Sequence, residues 1–66
     1  MSVKVIELVG TSQHNWNDAV DNAVHEASKS LEGMLGLEAT NFTALIDNGR
    51  ITEYKVDVKI AYSAKK

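Results

Sequence analysis

The sequence predicts an α+β domain of order β-α-β-β, with one face of an antiparallel sheet meeting a single helix. Three observations predict it. A run rich in β-branched residues near the start reads as a strand, and a capped segment with apolar residues at three- and four-residue spacing reads as a helix. Two long runs then flank Asn48-Gly49, a pair that favours a two-residue hairpin turn because both positions tolerate positive φ.

The first strand spans residues 3–9 and is closed by Gly10-Thr11-Ser12. Val3 and Val5 share a face with Glu7, and Ile6 and Leu8 share the other, so apolar side chains point both ways and cover is expected on both sides. Asn15 then serves as helix N-cap, with Asp18 three residues on to complement the exposed N–H groups and the positive end of the dipole. Trp16, Val20, Ala23, Val24, Ala27 and Leu31 form one stripe. Asp18, Asp21, Asn22, His25, Lys29 and Glu32 form the opposite face, and Gly33 is the expected left-handed cap. The small residues, Ala19 included, allow close approach to a sheet.

The second strand is expected over residues 36–47 and the third over 50–64. In the third, Tyr54, Val56, Val58, Ile60 and Tyr62 alternate with Glu53, Lys55, Asp57 and Lys59. A two-residue turn pairs Asp47 with Arg50, and so places Thr43 opposite Tyr54, Ala39 opposite Val58 and Leu37 opposite Ile60. The same register predicts an apolar patch of Phe42, Ala44, Ile46 and Ile51 on the face away from the helix, best explained as subunit interface. A one-residue slip at a bulge reverses that assignment.

Composition narrows the function classes. The chain has 66 residues, 44% of them hydrophobic, and reads as one domain over residues 1–66. A chain of about sixty residues buries only ~60% of the surface it exposes when unfolded, so small scaffolds are usually stapled. With no cysteine there is no disulfide, thiolate zinc site or cysteine nucleophile. His14 and His25 do not complete a metal-ligand set, which leaves oligomerisation as the expected staple. Seven basic against nine acidic residues, net charge −2, lacks the footprint that phosphate backbones require, so no nucleic-acid partner is expected. No apolar run approaches the ~20 residues that span a bilayer, and the start of the chain leads into a strand pattern rather than a signal-peptide core. A cytoplasmic protein without a membrane partner is the expectation.

At this point the sequence resembles the dodecin family nearly end to end. The resemblance rests on Lys4-Val5-Ile6-Glu7-Leu8-Val9-Gly10-Thr11-Ser12 followed by Trp16, Asp18, Ala19 and Val20. It continues through Asn22-Ala23, Glu26-Ala27-Ser28-Lys29, Leu37-Glu38, Asp47-Asn48-Gly49 and Tyr54-Lys55-Val56-Asp57-Val58-Lys59. Order, spacing and length together carry it, rather than any single motif. The resemblance implies a three-stranded antiparallel sheet wrapped around the helix, and a homododecamer. It also implies a flavin cofactor, FMN or riboflavin, stored between subunits without catalysis.

In that family a tryptophan near the start of the second strand stacks the flavin ring. Here Gly36 stands at its position, followed by Leu37 and Glu38. A glutamine in the third strand corresponds to Lys55, and an arginine that some members carry falls at or near Thr43. The ligand pocket implied by family position is therefore Gly36, Leu37, Thr43 and Lys55. Gly36 offers no flat surface for stacking, and Lys55 offers donors and a charge where glutamine also offers an acceptor. Weaker flavin binding, or another pose, is expected.

The other candidates have plainer readings. Trp16 at the helix start is expected in the core or an interface, and both histidines at the solvated surface. The row Glu53, Lys55, Asp57, Lys59 reads as solvated or cavity-lining charge. Glu38 and Asp57 are the candidate oxygen ligands for a cation such as calcium, which some dodecin-like proteins bind. Paired acids for acid-base work, a Ser/His/Asp spacing and a glycine-rich phosphate loop are absent, and no enzyme is expected. Two readings stay open: a flavin-binding storage particle, or a dodecin-like shell that has lost flavin. The second would hold a phosphate-bearing cofactor such as coenzyme A, hold a cation such as calcium, or act as a structural particle.

Overall fold

The computed structural model describes residues 2–64. Strand β1 covers Ser2–Ser12, helix α1 Trp16–Ser28, β2 Met34–Asp47 and β3 Arg50–Ala64, in the expected β-α-β-β order. The sheet is antiparallel with β3 in the centre, β1 and β2 on either side. β1 runs on past Val9, so Thr11 and Ser12 pair with Lys55 and Tyr54 instead of closing the strand. β2 likewise starts at Met34, two residues before the expected Gly36.

The helix begins as its cap residue dictates. Asn15 is extended, and its Oδ1 accepts from the backbone N–H of Asp18 at 2.7 Å. Ser12 ties the preceding turn: its hydroxyl donates to Asp18 Oδ2 at 2.7 Å and accepts from the His14 N–H at 2.9 Å. The helix ends earlier than expected. Lys29 is the cap, in right-handed helical conformation, and Ala27 O accepts from both Ser30 N–H and Leu31 N–H. The Ser28 hydroxyl donates to His25 O at 2.7 Å, which tightens the last turn further. Gly33 has φ +73 but lies in the connection to β2, where its carbonyl accepts from Ser63 N–H at 2.9 Å. It fastens the loop to the end of β3 and does not cap the helix.

Ala19, Ala23 and Ala27 pack on Val56, Val58 and Ile60 of the central strand, with Ile6, Leu8, Val20 and Leu31 around them. The helix lies close because three methyl groups face the sheet. Gly10, opposite Val56, completes this fit. A Cβ there would collide with the Ala19 carbonyl oxygen and with the Ala23 methyl group.

Asp47 faces Arg50 across the Asn48-Gly49 turn, and φ is +57 and +75 at the two turn residues. Ala39 faces Val58 and Leu37 faces Ile60, as expected. Between these ends the register differs. Thr43 faces Lys55 rather than Tyr54, and Ala44 takes the place opposite Tyr54. Thr52 is an extra residue in β3, and Thr40 a compensating extra residue in β2. Their hydroxyls donate to Leu45 O and Asp57 O across the two irregularities.

Because side chains alternate, the shift turns this segment over. Phe42, opposite Val56, and Ala44, opposite Tyr54, belong to the helix side, Ile46 with its partner Ile51 follows Ala44 there by alternation, and the expected outer patch does not form. Phe42 instead meets Trp16. The outer face carries Thr43 there, and apolar exposure on it comes from Val3, Val5, Val9 and Leu45.

Candidate functional site

Each residue of β3 that points away from the helix stands in a row with partners from β1 and β2, since directly paired residues share a face. Val5, Ala61 and Gly36 form one row, and Glu7, Lys59 and Glu38 the next. Val9, Asp57 and Asn41 follow, then Thr11, Lys55 and Thr43. Charge on this face is matched in part. Lys59 lies 3.9 Å from Glu7, an exposed pair that contributes at most ~1 kcal/mol. Asn41 Nδ2 donates to Asp57 Oδ2 at 3.3 Å.

Gly36 leaves open space at its place on the edge strand, since nothing lies within 4 Å of where its Cβ would be. On the free face a groove of about 300 Å³ is lined by Val5, Gly36, Leu37, Glu38, Lys59 and Ala61. On the helix side a second hollow of about 300 Å³ runs between Val24 and Met34, Leu35, Gly36, Leu37 and Ile60. Thr43 and Lys55 face one another directly. Gly36 meets Ala61, six positions along β3 from Lys55, which at ~3.3 Å per residue is a separation of about 20 Å. Within one chain the four residues thus form two pairs at different parts of the sheet.

Trp16 is engaged from the helix side. Its Nε1–H donates to Thr43 O at 3.2 Å, and its ring meets Tyr54 edge-on at 4.8 Å and Phe42 at 6.3 Å. This is the core-type role expected of it. Glu38 and Asp57 fall in different rows, with Lys59 opposite Glu38. Among the described residues no group of three or more histidine, cysteine or acidic side chains is placed to hold a metal. His14 and His25 are exposed.

Sequence reasoning missed Thr11 and Asn41 as members of the free face, and Gly10 as the point of helix contact. The signal for Asn41 lies within β2. Leu37 and Ala39 alternate in one phase, Phe42 and Ala44 in the other, and a phase change inside a strand marks a bulge. For Gly10 the signal is a strand glycine followed by alanines at four-residue spacing on a helix.

A long antiparallel sheet carrying one helix on one face and a free, partly apolar second face defines a small α+β protein of the β-α-β-β class. The family model of Dodecin matches residues 2–65. The chain belongs to the dodecin family, whose members are small binding proteins. It is similar to the dodecin of Streptomyces coelicolor, with TM-score 0.95 and 31% identity over 98% of this chain and 93% of that one. It is also similar to the tt0972 protein of Thermus thermophilus, with TM-score 0.94 and 26% identity over 98% and 96%. The calcium dodecin of Mycobacterium tuberculosis, a calcium-chelating antigen, shares the fold with TM-score 0.86 and 24% identity over 98% and 93%. No curated protein matches the chain. Among the described residues, no helix is long and apolar enough to cross a membrane.

Proposed function

We propose that the protein is a non-catalytic, cytoplasmic binding particle in which one dodecin unit, residues 1–66, assembles as a homododecamer and holds small molecules where copies meet. Membership of the dodecin family carries this reading. The free sheet face supports it, since Val3, Val5 and Val9 are each more than half exposed there, an unusual placement for strand residues unless a partner covers them.

The ligand is flavin, as FMN or riboflavin, held more weakly or in another pose than a stacking tryptophan and a glutamine would allow. Gly36, Leu37, Thr43 and Lys55 are the residues of this chain assigned to the pocket, with contributions from neighbouring copies, given the 20 Å or so between the two pairs. The void at Gly36 and the cation at Lys55 favour a second reading, a shell that holds a phosphate-bearing ligand in place of the flavin ring.

Light scattering combined with a riboflavin fluorescence-quenching titration tests both parts. A particle of about 86 kDa, twelve times 7.2 kDa, is expected. Quenching should be weak in the native protein and stronger in Gly36→Trp, by about fivefold or more if the new ring stacks at ~1 kcal/mol. A 7.2 kDa monomer overturns the assembly. Tight riboflavin binding by the native protein overturns the account of the altered pocket.

A further inference from the structure

We infer that the row Thr11, Lys55, Thr43 on the free face of the sheet is a binding site for the phosphate group of a small ligand. The three residues are direct cross-strand neighbours, with Lys55 in the central strand and a threonine on each side. Their side chains rise from one face with Cβ atoms about 5 Å apart. Such a row offers an ammonium with three donors between two hydroxyls, a set that suits the tetrahedral oxygens of a phosphate.

This row is unlike its neighbours. In the next two rows Glu7 is matched by Lys59 and Asp57 by Asn41 within the chain. Lys55, although half-buried, forms no ion pair among the described residues. The nearest acids on its own face of β3 are Glu53, which faces Leu45, and Asp57, which is engaged by Asn41. The threonines differ too. Thr40 and Thr52 turn their hydroxyls to backbone carbonyls at the register shifts. Thr11 and Thr43 are hydrogen-bonded through their carbonyls, to Asn22 Nδ2 and Trp16 Nε1, and their hydroxyls take no protein partner among the described residues. Both backbones are thus fixed from the helix side while three donor side chains are left on the other.

The register shift is what creates the row. In the uninterrupted register Lys55 would lie opposite Phe42 rather than Thr43, and the donors would be split between faces. The inference rests on the reading that this face takes a ligand between copies, and it assigns the phosphate, rather than the ring, to Lys55.

Calorimetric titration with inorganic phosphate at constant ionic strength measures binding, and the fluorescence of Trp16, the sole tryptophan and bonded to Thr43 O, locates it. Saturable binding is expected, weakened about tenfold in Lys55→Gln by loss of a charge-assisted contact. Binding in Lys29→Gln should stay within about twofold, because that lysine lies at the end of the helix and is paired with Glu26. FMN should bind more tightly than riboflavin, and Lys55→Gln should bring the two together. Absence of saturable phosphate binding overturns the inference, as does equal weakening in both lysine variants, which would mean diffuse charge. Particle mass measured on the same samples separates the two levels. Phosphate binding without a dodecamer sinks the assembly alone, and a dodecamer without phosphate binding sinks this site alone.

Discussion

Gly10 and Gly36 show how the same residue type does opposite things. At Gly10 the absent side chain is filled by the helix, whose Ala19 carbonyl and Ala23 methyl occupy the space. At Gly36 the space is empty. Gly10→Ala forces the helix away from Val56 and is expected to cost about 1–3 kcal/mol, the usual penalty of overpacking. Gly36→Ala should lie within about 0.5 kcal/mol of the native protein, as surface changes generally do. Urea denaturation of the two variants side by side checks this, and equal losses would contradict the described contact. Lys55 and Thr43 were legible as departures from the family pocket, but their direct pairing and the presence of Thr11 beside them were not, because these depend on which residues the other strands bring opposite Lys55.

At the level of elements, the helix start is written locally and its end is not. Asn15 accepts from Asp18 N–H, and Ser12 holds the turn before it, all within six residues. Asn15→Ala removes that acceptor and should cost about 1 kcal/mol, measurable as a lower denaturation midpoint at unchanged m-value. Unchanged stability would mean that water replaces the cap in full. The end at Ser28 depends on where the chain must turn to reach β2, and Gly33 is spoken for by Ser63, thirty residues later in the chain. The hairpin shows the same division. The Asn48-Gly49 turn and the pairs at both ends of β2 follow from the sequence, but the inserted Thr52 and Thr40 reverse the middle. Alternation within β3 alone reads correctly through this region, since the central strand keeps its helix-facing set of Tyr54, Val56, Val58 and Ile60 throughout.

As a whole molecule the subunit is long and thinly covered. Its extents are 50 × 19 × 13 Å and its radius of gyration 13.5 Å, against about 11 Å for a compact chain of this length. Among the described residues six hydrophobic ones are buried, three of them alanines, while Val3, Val5, Val9 and Ile46 stay more than half exposed. Stability should therefore depend on concentration, as for proteins whose fold is completed by association. Val5→Glu, in the row with Ala61 and Gly36, is expected to dissociate the particle and lower its melting temperature, observable by sedimentation and thermal scans. Intact particles with Glu at this position would mean that this part of the face is not covered. The sequence by itself determined the element order, the hairpin turn and the helix cap, because propensity, turn chemistry and capping act over a few residues. Only the tertiary structure decided which residues share the free face, because one extra residue in each of two paired strands changes local sequence little but exchanges the two sides of the sheet between them. That exchange moved Phe42 and Ala44 to the helix and set Thr43 beside Lys55.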